Sequence, residues 1–171
     1  MKYLLQFSLR IILLIFLINT AKAQSGSGWE WASTSGTANV RKIIKDIVTD
    51  ASGNVYASGD YADSLTLGGF SLRGAVSANH AFIVKYNNVG NVLWLNQYNN
   101  GIGAVAQTGT VVALDATGNV YMGGTDNSTG GNVGHGYVTK FNGNNGTVIW
   151  TKTFMLNEVI AINVGPDGNP I

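Results

Sequence analysis

From residue 39 onward, apolar and polar side chains alternate in short runs, and the runs close on turns built from Asp, Asn and Gly. A period of two, rich in β-branched and aromatic residues, is the pattern of half-buried strands. Residues 43–49 and 110–114 form one pair of such runs, residues 54–58 and 119–123 a second. Residues 81–86 and 137–141 form a third pair, residues 91–95 and 147–151 a fourth. The third run sets Phe82, Val84 and Tyr86 on one face and Ile83 and Lys85 on the other. The turn between the first two runs starts at Asp50 or Asp115 and carries Gly53 or Gly118, the chemistry of a type I turn with a glycine bulge. No stretch beyond residue 24 keeps a helical period. The pattern predicts an all-β chain.

The runs are two copies of one unit. Asp50, Gly53, Asn54 and Tyr56 recur 65 residues later as Asp115, Gly118, Asn119 and Tyr121. His80 to Tyr86 recurs 55 residues later as His135 to Phe141, and Trp94 recurs 56 residues later as Trp150. The connection after the second strand is therefore ten residues longer in the first copy. Four antiparallel strands per repeat predict β-propeller blades, with the tryptophans and the third-strand aromatics packed between neighbours. On this reading residues 39–104 are the first blade, residues 105–157 the second, and residues 158–171 open a third. That opening consists of a strand over 159–164 followed by Pro166, Asp167, Gly168 and Asn169. Segment 24–38 holds an orphan outer strand at 29–32, marked by Trp29 and Trp31. The whole is an incomplete propeller of about two blades plus flanking strands. A ring closes with about four to eight blades, and two alone would leave apolar faces bare. We therefore expect the front part of a longer protein, with the missing blades as its first partners.

Residues 1–23 read as a cleavable secretory signal: Lys2 at the start, an apolar run from Leu9 to Ile18 broken only by Arg10, then Ala21-Lys22-Ala23. The unbroken stretch 11–18 is far shorter than the ~20 residues a bilayer requires, so no stable membrane span is expected after cleavage. Cleavage removes three bases and no acid, which moves the formal charge from +1 to −2. A nucleic-acid partner is not expected at that charge. The chain has no cysteine, which excludes disulfides, thiolate metal sites and thiol catalysis. An exported chain without disulfides points to a bacterial product, secreted or at the cell surface. The sequons at Asn127 and Asn145 are what an Asn-rich chain contains by chance.

Asp-x-x-Gly-Asn-Val-Tyr at 50–56, Phe-Ile-Val-Lys-Tyr at 82–86 and Gly-Asn-Val-Leu-Trp at 90–94 carry a family likeness. On these residues the chain resembles the SBBP repeat family, β-propeller repeats of exported bacterial proteins. The resemblance covers residues 29–171 and implies a secreted or surface propeller with no known catalytic residues. The family usually has Asp before the third strand, whereas both copies here have His, at His80 and His135.

The two histidines are the only ones in the chain and stand at equivalent positions. They could bind an anion, a metal or a partner, or switch charge near neutral pH. The plainer reading is that each bonds a neighbouring loop, since no carboxylate stands at ligand spacing. Asp60, Asp63 and Asp126 are read as solvated acids of the long second loop rather than calcium ligands. Asp50 and Asp115 are read as turn formers. No Gly-x-Ser-x-Gly elbow occurs, and Gly101-Ile102-Gly103 and Gly123-Gly124 are read as turns or narrow strand ends. Lys85 and Lys140 are expected to snorkel along the sheet. No catalytic, cofactor-binding or metal-binding residue is assigned. The recurring residues Asp50, Gly53, Asn54, Tyr56, Trp94, Asp115, Gly118, Asn119, Tyr121 and Trp150 are assigned to the repeat itself. Two functions follow: a non-catalytic exported scaffold binding a protein or glycan, or a quinoprotein-like enzyme. The second rests on residues 141–150, which are similar to the docking motif of pyrroloquinoline-quinone propellers. It lacks the calcium ligands and the catalytic Asp that such a site needs.

Overall fold

The alternating runs fold as antiparallel strands. The computed structural model describes residues 41–75, 78–99, 106–127, 134–155 and 157–171, all within one compact unit. The signal segment, the orphan strand at 29–32 and Gly101 to Gly103 lie outside the described residues. In chain order the strands are β1 Lys42–Thr49, β2 Val55–Ala62, β3 Ser64–Leu67, β4 Phe70–Arg73 and β5 Asn79–Tyr86. Then follow β6 Val92–Gln97, β7 Gln107–Leu114, β8 Val120–Asp126, β9 His135–Phe141 and β10 Val148–Phe154. The first sheet has the order β1-β2-β5-β6 and the second the order β7-β8-β9-β10, so the two share one topology. The pair β3-β4 forms a separate hairpin.

Each strand turn is set by local chemistry. The Asp50 carboxylate accepts the backbone N–H of Ser52 at 2.9 Å and of Asn54 at 3.0 Å, and Asp115 does the same for Thr117 and Asn119, both at 2.9 Å. Gly53 and Gly118 take φ of 77° and 82°, which their lack of a Cβ permits. A third turn at 165–169 has the same backbone bonds, Gly165 N–H to the Asn169 carbonyl at 2.8 Å and Gly168 N–H to the Gly165 carbonyl at 2.9 Å. Ahead of that turn, residues 159–164 join no ladder; a bridge pairs Val164 with Pro170 behind it. The β9–β10 turn is one residue longer than the β5–β6 turn, which is why the repeat offset changes from 55 to 56 there.

Two further features are shared by both copies. The β1–β2 ladder slips between Ile44 and Asp46, and the β7–β8 ladder slips at the equivalent place between Gly109 and Val111. Opposite these bulges stand Gly59 and Gly124, where a Cβ would lie 1.9 Å from the Ile43 carbonyl oxygen and 1.8 Å from that of Thr108. Gly123 and Gly124 are therefore interior positions of β8, not a turn or a strand end.

The connection after β2 is also not a plain loop. Its extra residues form the β3–β4 hairpin, turned by Gly68 and Gly69 with φ of 53° and 87°, a two-residue turn of the type that suits strand twist. Strands β2 and β8 run on through Asp60 and Asp126, so these two acids are strand residues and both are buried.

The sheets pack face to face. Tyr56, Ile83 and Trp94 of the first sheet share a core with Val112, Val120, Met122, Tyr137 and Phe141 of the second. The opposite face of the first sheet carries Ala57, Phe82, Val84 and Tyr86, which pack with Leu65 and Leu67 of the hairpin. Phe82 and Tyr86 thus lie under the hairpin rather than between the sheets, while their counterparts Tyr137 and Phe141 do lie between them. Gly59→Ala and Gly124→Ala should each cost about 2–4 kcal/mol in chemical denaturation, because a methyl group would be driven into backbone. Gly165→Ala, whose new methyl would press on the movable Asp167 side chain and touch the Asn169 carbonyl at an ordinary 3.6 Å, should cost less than about 1 kcal/mol.

Candidate functional site

Of the sequence-assigned residues, those of the first copy meet at the seam between the two sheets, and those of the second copy lie on the far face of the second sheet. At the turn end of the seam, Lys85 is buried and its Nζ donates to the Gly143 carbonyl of the second sheet at 2.8 Å. Trp94 Nε1 donates to the same carbonyl at 3.2 Å, and Asn96 Nδ2 donates to the Gly146 carbonyl at 2.7 Å. The Lys85 ammonium also lies 5.0 Å from the centre of the Tyr56 ring. Lys140, its counterpart, pairs with Asp115 at 2.9 Å and lies 4.8 Å from the Tyr121 ring. Neither lysine snorkels. An ammonium among buried aromatics must have an acceptor, and each has been given one.

Trp94 and Trp150 differ in the same way. Trp94 is 5% exposed against the second sheet, whereas Trp150 is half-buried edge-on to Tyr121. The difference follows from the cover: Trp94 has a complete sheet over it, and Trp150 stands on β10, most of which is exposed. Tyr56 and Tyr121 are both fully buried. The Tyr56 hydroxyl reaches Asp50 at 3.3 Å, and the Tyr121 hydroxyl donates to the Gly168 carbonyl of the third turn. Burial, then the Asp50 charge, pushes the Tyr56 hydroxyl up to about 12.

At the other end of the strands, the buried Asp60 is neutralised by Arg41 at 3.0 Å and Lys45 at 3.1 Å. The expectation of a solvated acid fails because two cations, Arg41 just before β1 and Lys45 within it, close over it. Tyr98 donates to Asp126 at 2.8 Å and stacks on Tyr137 with ring centres 3.8 Å apart. Burial and then Asp126 raise the Tyr98 hydroxyl far above its ordinary range, and burial does the same for Tyr137. Such hydroxyls stay protonated at neutral pH and act as donors. Asp63 starts the hairpin with φ of 62°.

The histidines are brought to equivalent strand starts. His80 pairs with Tyr61 across the ladder, and His135 pairs with Asp126. His80 Nε2 accepts the Ala75 N–H at 2.8 Å, and its ring lies 5.5 Å from that of Tyr61, so it bonds the neighbouring connection. Among the described residues, no three His, Asp or Glu side chains are grouped as metal ligands. The paired glycines at the bulges and the hairpin had sequence signals that went unused: Gly59 and Gly124 share the 65-residue offset, and Gly68-Gly69 sits between leucine-bearing runs. No protein-family model matches the chain, and no curated protein does.

Trp94→Ala should destabilise by about 3–5 kcal/mol in chemical denaturation, and Trp150→Ala by clearly less, because only Trp94 is enclosed. Asp115 gives a pH dependence with a definite sign. Burial pushes its carboxyl up, but bonds from Thr117, Lys140 and Asn119 outweigh it and hold the pKa below the ordinary value. Its contribution to stability is thus complete above about pH 4, the unfolded value, and is lost as the pH falls below it. The denaturation midpoint should drop on acidification below about pH 4, and Asp115→Asn should flatten that drop.

Proposed function

We propose that the chain is a non-catalytic exported β-propeller repeat protein, of the kind its SBBP resemblance implies. It acts as a binding or adhesion scaffold for a protein or glycan at the bacterial cell surface or envelope. The observation that carries this reading is the packing of two four-stranded sheets of one topology, each presenting the same repeat face in the same direction. Blades stack in this way. The charged groups support binding over turnover, since Asp50, Asp60, Lys85, Asp115, Asp126 and Lys140 are each engaged in a turn, a strand or the seam. The sequence that follows β6 and that follows β8 is rich in Asn, Ser, Thr and Gly, as at 99–103 and 127–132. Uncharged donors and acceptors of this type suit sugar hydroxyls and peptide groups.

The test has two parts. Expressed with residues 1–23 in a bacterial host, the protein should leave the cytoplasm with a mass that starts at Gln24; retention of the uncleaved chain in the membrane would overturn export. The purified mature chain, titrated against a glycan panel, should bind saturably without converting its ligand. Reduction of a redox dye upon addition of pyrroloquinoline quinone and calcium would replace the scaffold with the quinoprotein reading.

A further inference from the structure

The same face of the repeat is covered in two different ways. Ala57, Phe82, Val84 and Tyr86 of the first sheet are the repeat counterparts of Met122, Tyr137, Thr139 and Phe141 of the second. In the second copy this face packs on the first sheet. In the first copy it packs under Leu65 and Leu67 of the β3–β4 hairpin, which are 1% and 5% exposed. The ten extra residues that build the hairpin occur only in the copy that has no described sheet in front of it.

The hairpin lies along the full length of the strands. Its base is closed by the Gly74 N–H on the Asp63 carbonyl at 2.7 Å and held by the Ala75 N–H on His80 at 2.8 Å. Just past its return strand the backbone runs so close to the imidazole that a Cβ on Gly74 would lie 2.1 Å from it. At the tip, a Cβ on Gly68 would lie 2.7 Å from Val92, at the opposite end of the sheet. Between hairpin and β1 a cavity of about 250 Å³ remains, lined by Ile43, Ile44, Leu65, Leu67, Phe82 and Tyr86. Sheets stack about 10 Å apart, and the hairpin occupies that layer.

We propose that the β3–β4 hairpin is a cap: it makes the first sheet a terminal one, so that further sheets stack only on the side of the second sheet. This keeps the scaffold part of the proposed function and departs from its propeller part, replacing a closed ring with a one-sided stack of the same sheets. His80 gains a role as the latch of the cap. Capping units with a polar outer face are what open repeat arrays need, and the outward side of the hairpin carries Thr66 and Ser71, bonded to each other at 3.0 Å.

Two measurements test the cap. In the isotope-labelled intact chain, nuclear Overhauser contacts should connect the Leu65 and Leu67 methyls with the Phe82 and Tyr86 rings. Their absence would overturn the cap, because the hairpin would then stand away from the face. In a second variant, residues 63–78 are replaced by residues 128–133, the short connection of the other copy. Its sedimentation mass should rise at least twofold over the parent with concentration, as the bared face associates. A folded variant with the parent's mass throughout would overturn the cap. A variant unable to fold, with the contacts present in the intact chain, supports it. Neither measurement touches the seam between the sheets, so loss of the cap would leave the scaffold reading standing.

Discussion

The seam between the two sheets encloses the Lys85 ammonium, and the backbone carbonyl of Gly143 is what receives it. Gly143 accepts both Lys85 and Trp94 across the seam, and without it a buried ammonium would be left without an acceptor. The position of that carbonyl is fixed from behind. A Cβ on residue 143 would lie 1.7 Å from the Gly118 carbonyl oxygen, so the β9–β10 turn is pressed against the β7–β8 turn with no room for a side chain. Gly118 is in turn held by Asp115, which ties down Thr117 and Asn119 and is itself held by Lys140. A local turn preference in one copy thus positions the acceptor that docks the other.

Much of this was legible in the sequence because repetition doubles every signal. The strand runs, the Asp-Gly-Asn turns and the shift in offset from 55 to 56 could be read by laying one copy over the other, and the ladders follow them. Strand ends were read too short, since Asp60 and Asp126 look like loop acids until their partners, Arg41, Lys45 and Tyr98, are known to come from elsewhere in the chain. A buried carboxylate is decided by such distant neighbours, which spacing alone does not reveal. The hairpin was missed for the opposite reason: it is the one element without a counterpart, so comparison of the copies treated it as surplus. Its Gly68-Gly69 turn was a local signal that needed no comparison.

The candidate site was legible as a set of residue types but not as a set of roles. Lys85 and Lys140 occupy one repeat position, yet one crosses the seam and the other stays within its own sheet. Trp94 and Trp150 likewise share a position and differ in exposure. Equivalent residues diverge because their surroundings differ: the first sheet has a whole sheet over its inner face, and the second has residues 159–171, with Val159 and Ile162 set over Gly123.

That divergence follows a rule in the charges. In the first copy Lys85 is sent forward to the Gly143 carbonyl, and Asp50 keeps the Tyr56 hydroxyl and Asn54. In the second copy Tyr121 is sent forward to the Gly168 carbonyl of the third turn, and Asp115 keeps Lys140 and Asn119. Each copy therefore offers one donor to the next unit's turn and reserves the other for its own aspartate. The two forward acceptors belong to different turns, Gly143 to the β9–β10 turn and Gly168 to the turn at 165–169, so the donor sent forward differs with the turn that faces it, and neither carboxylate is left bare. The aspartate is thus more than a turn former. It is the acceptor against which the Lys–Tyr pair is divided, and the other donor ends on a turn carbonyl further along the chain, that of Gly143 for Lys85 and that of Gly168 for Tyr121. In both copies the donor sent forward thus ends on a backbone carbonyl, an acceptor whose presence does not depend on the side chain of the residue that supplies it.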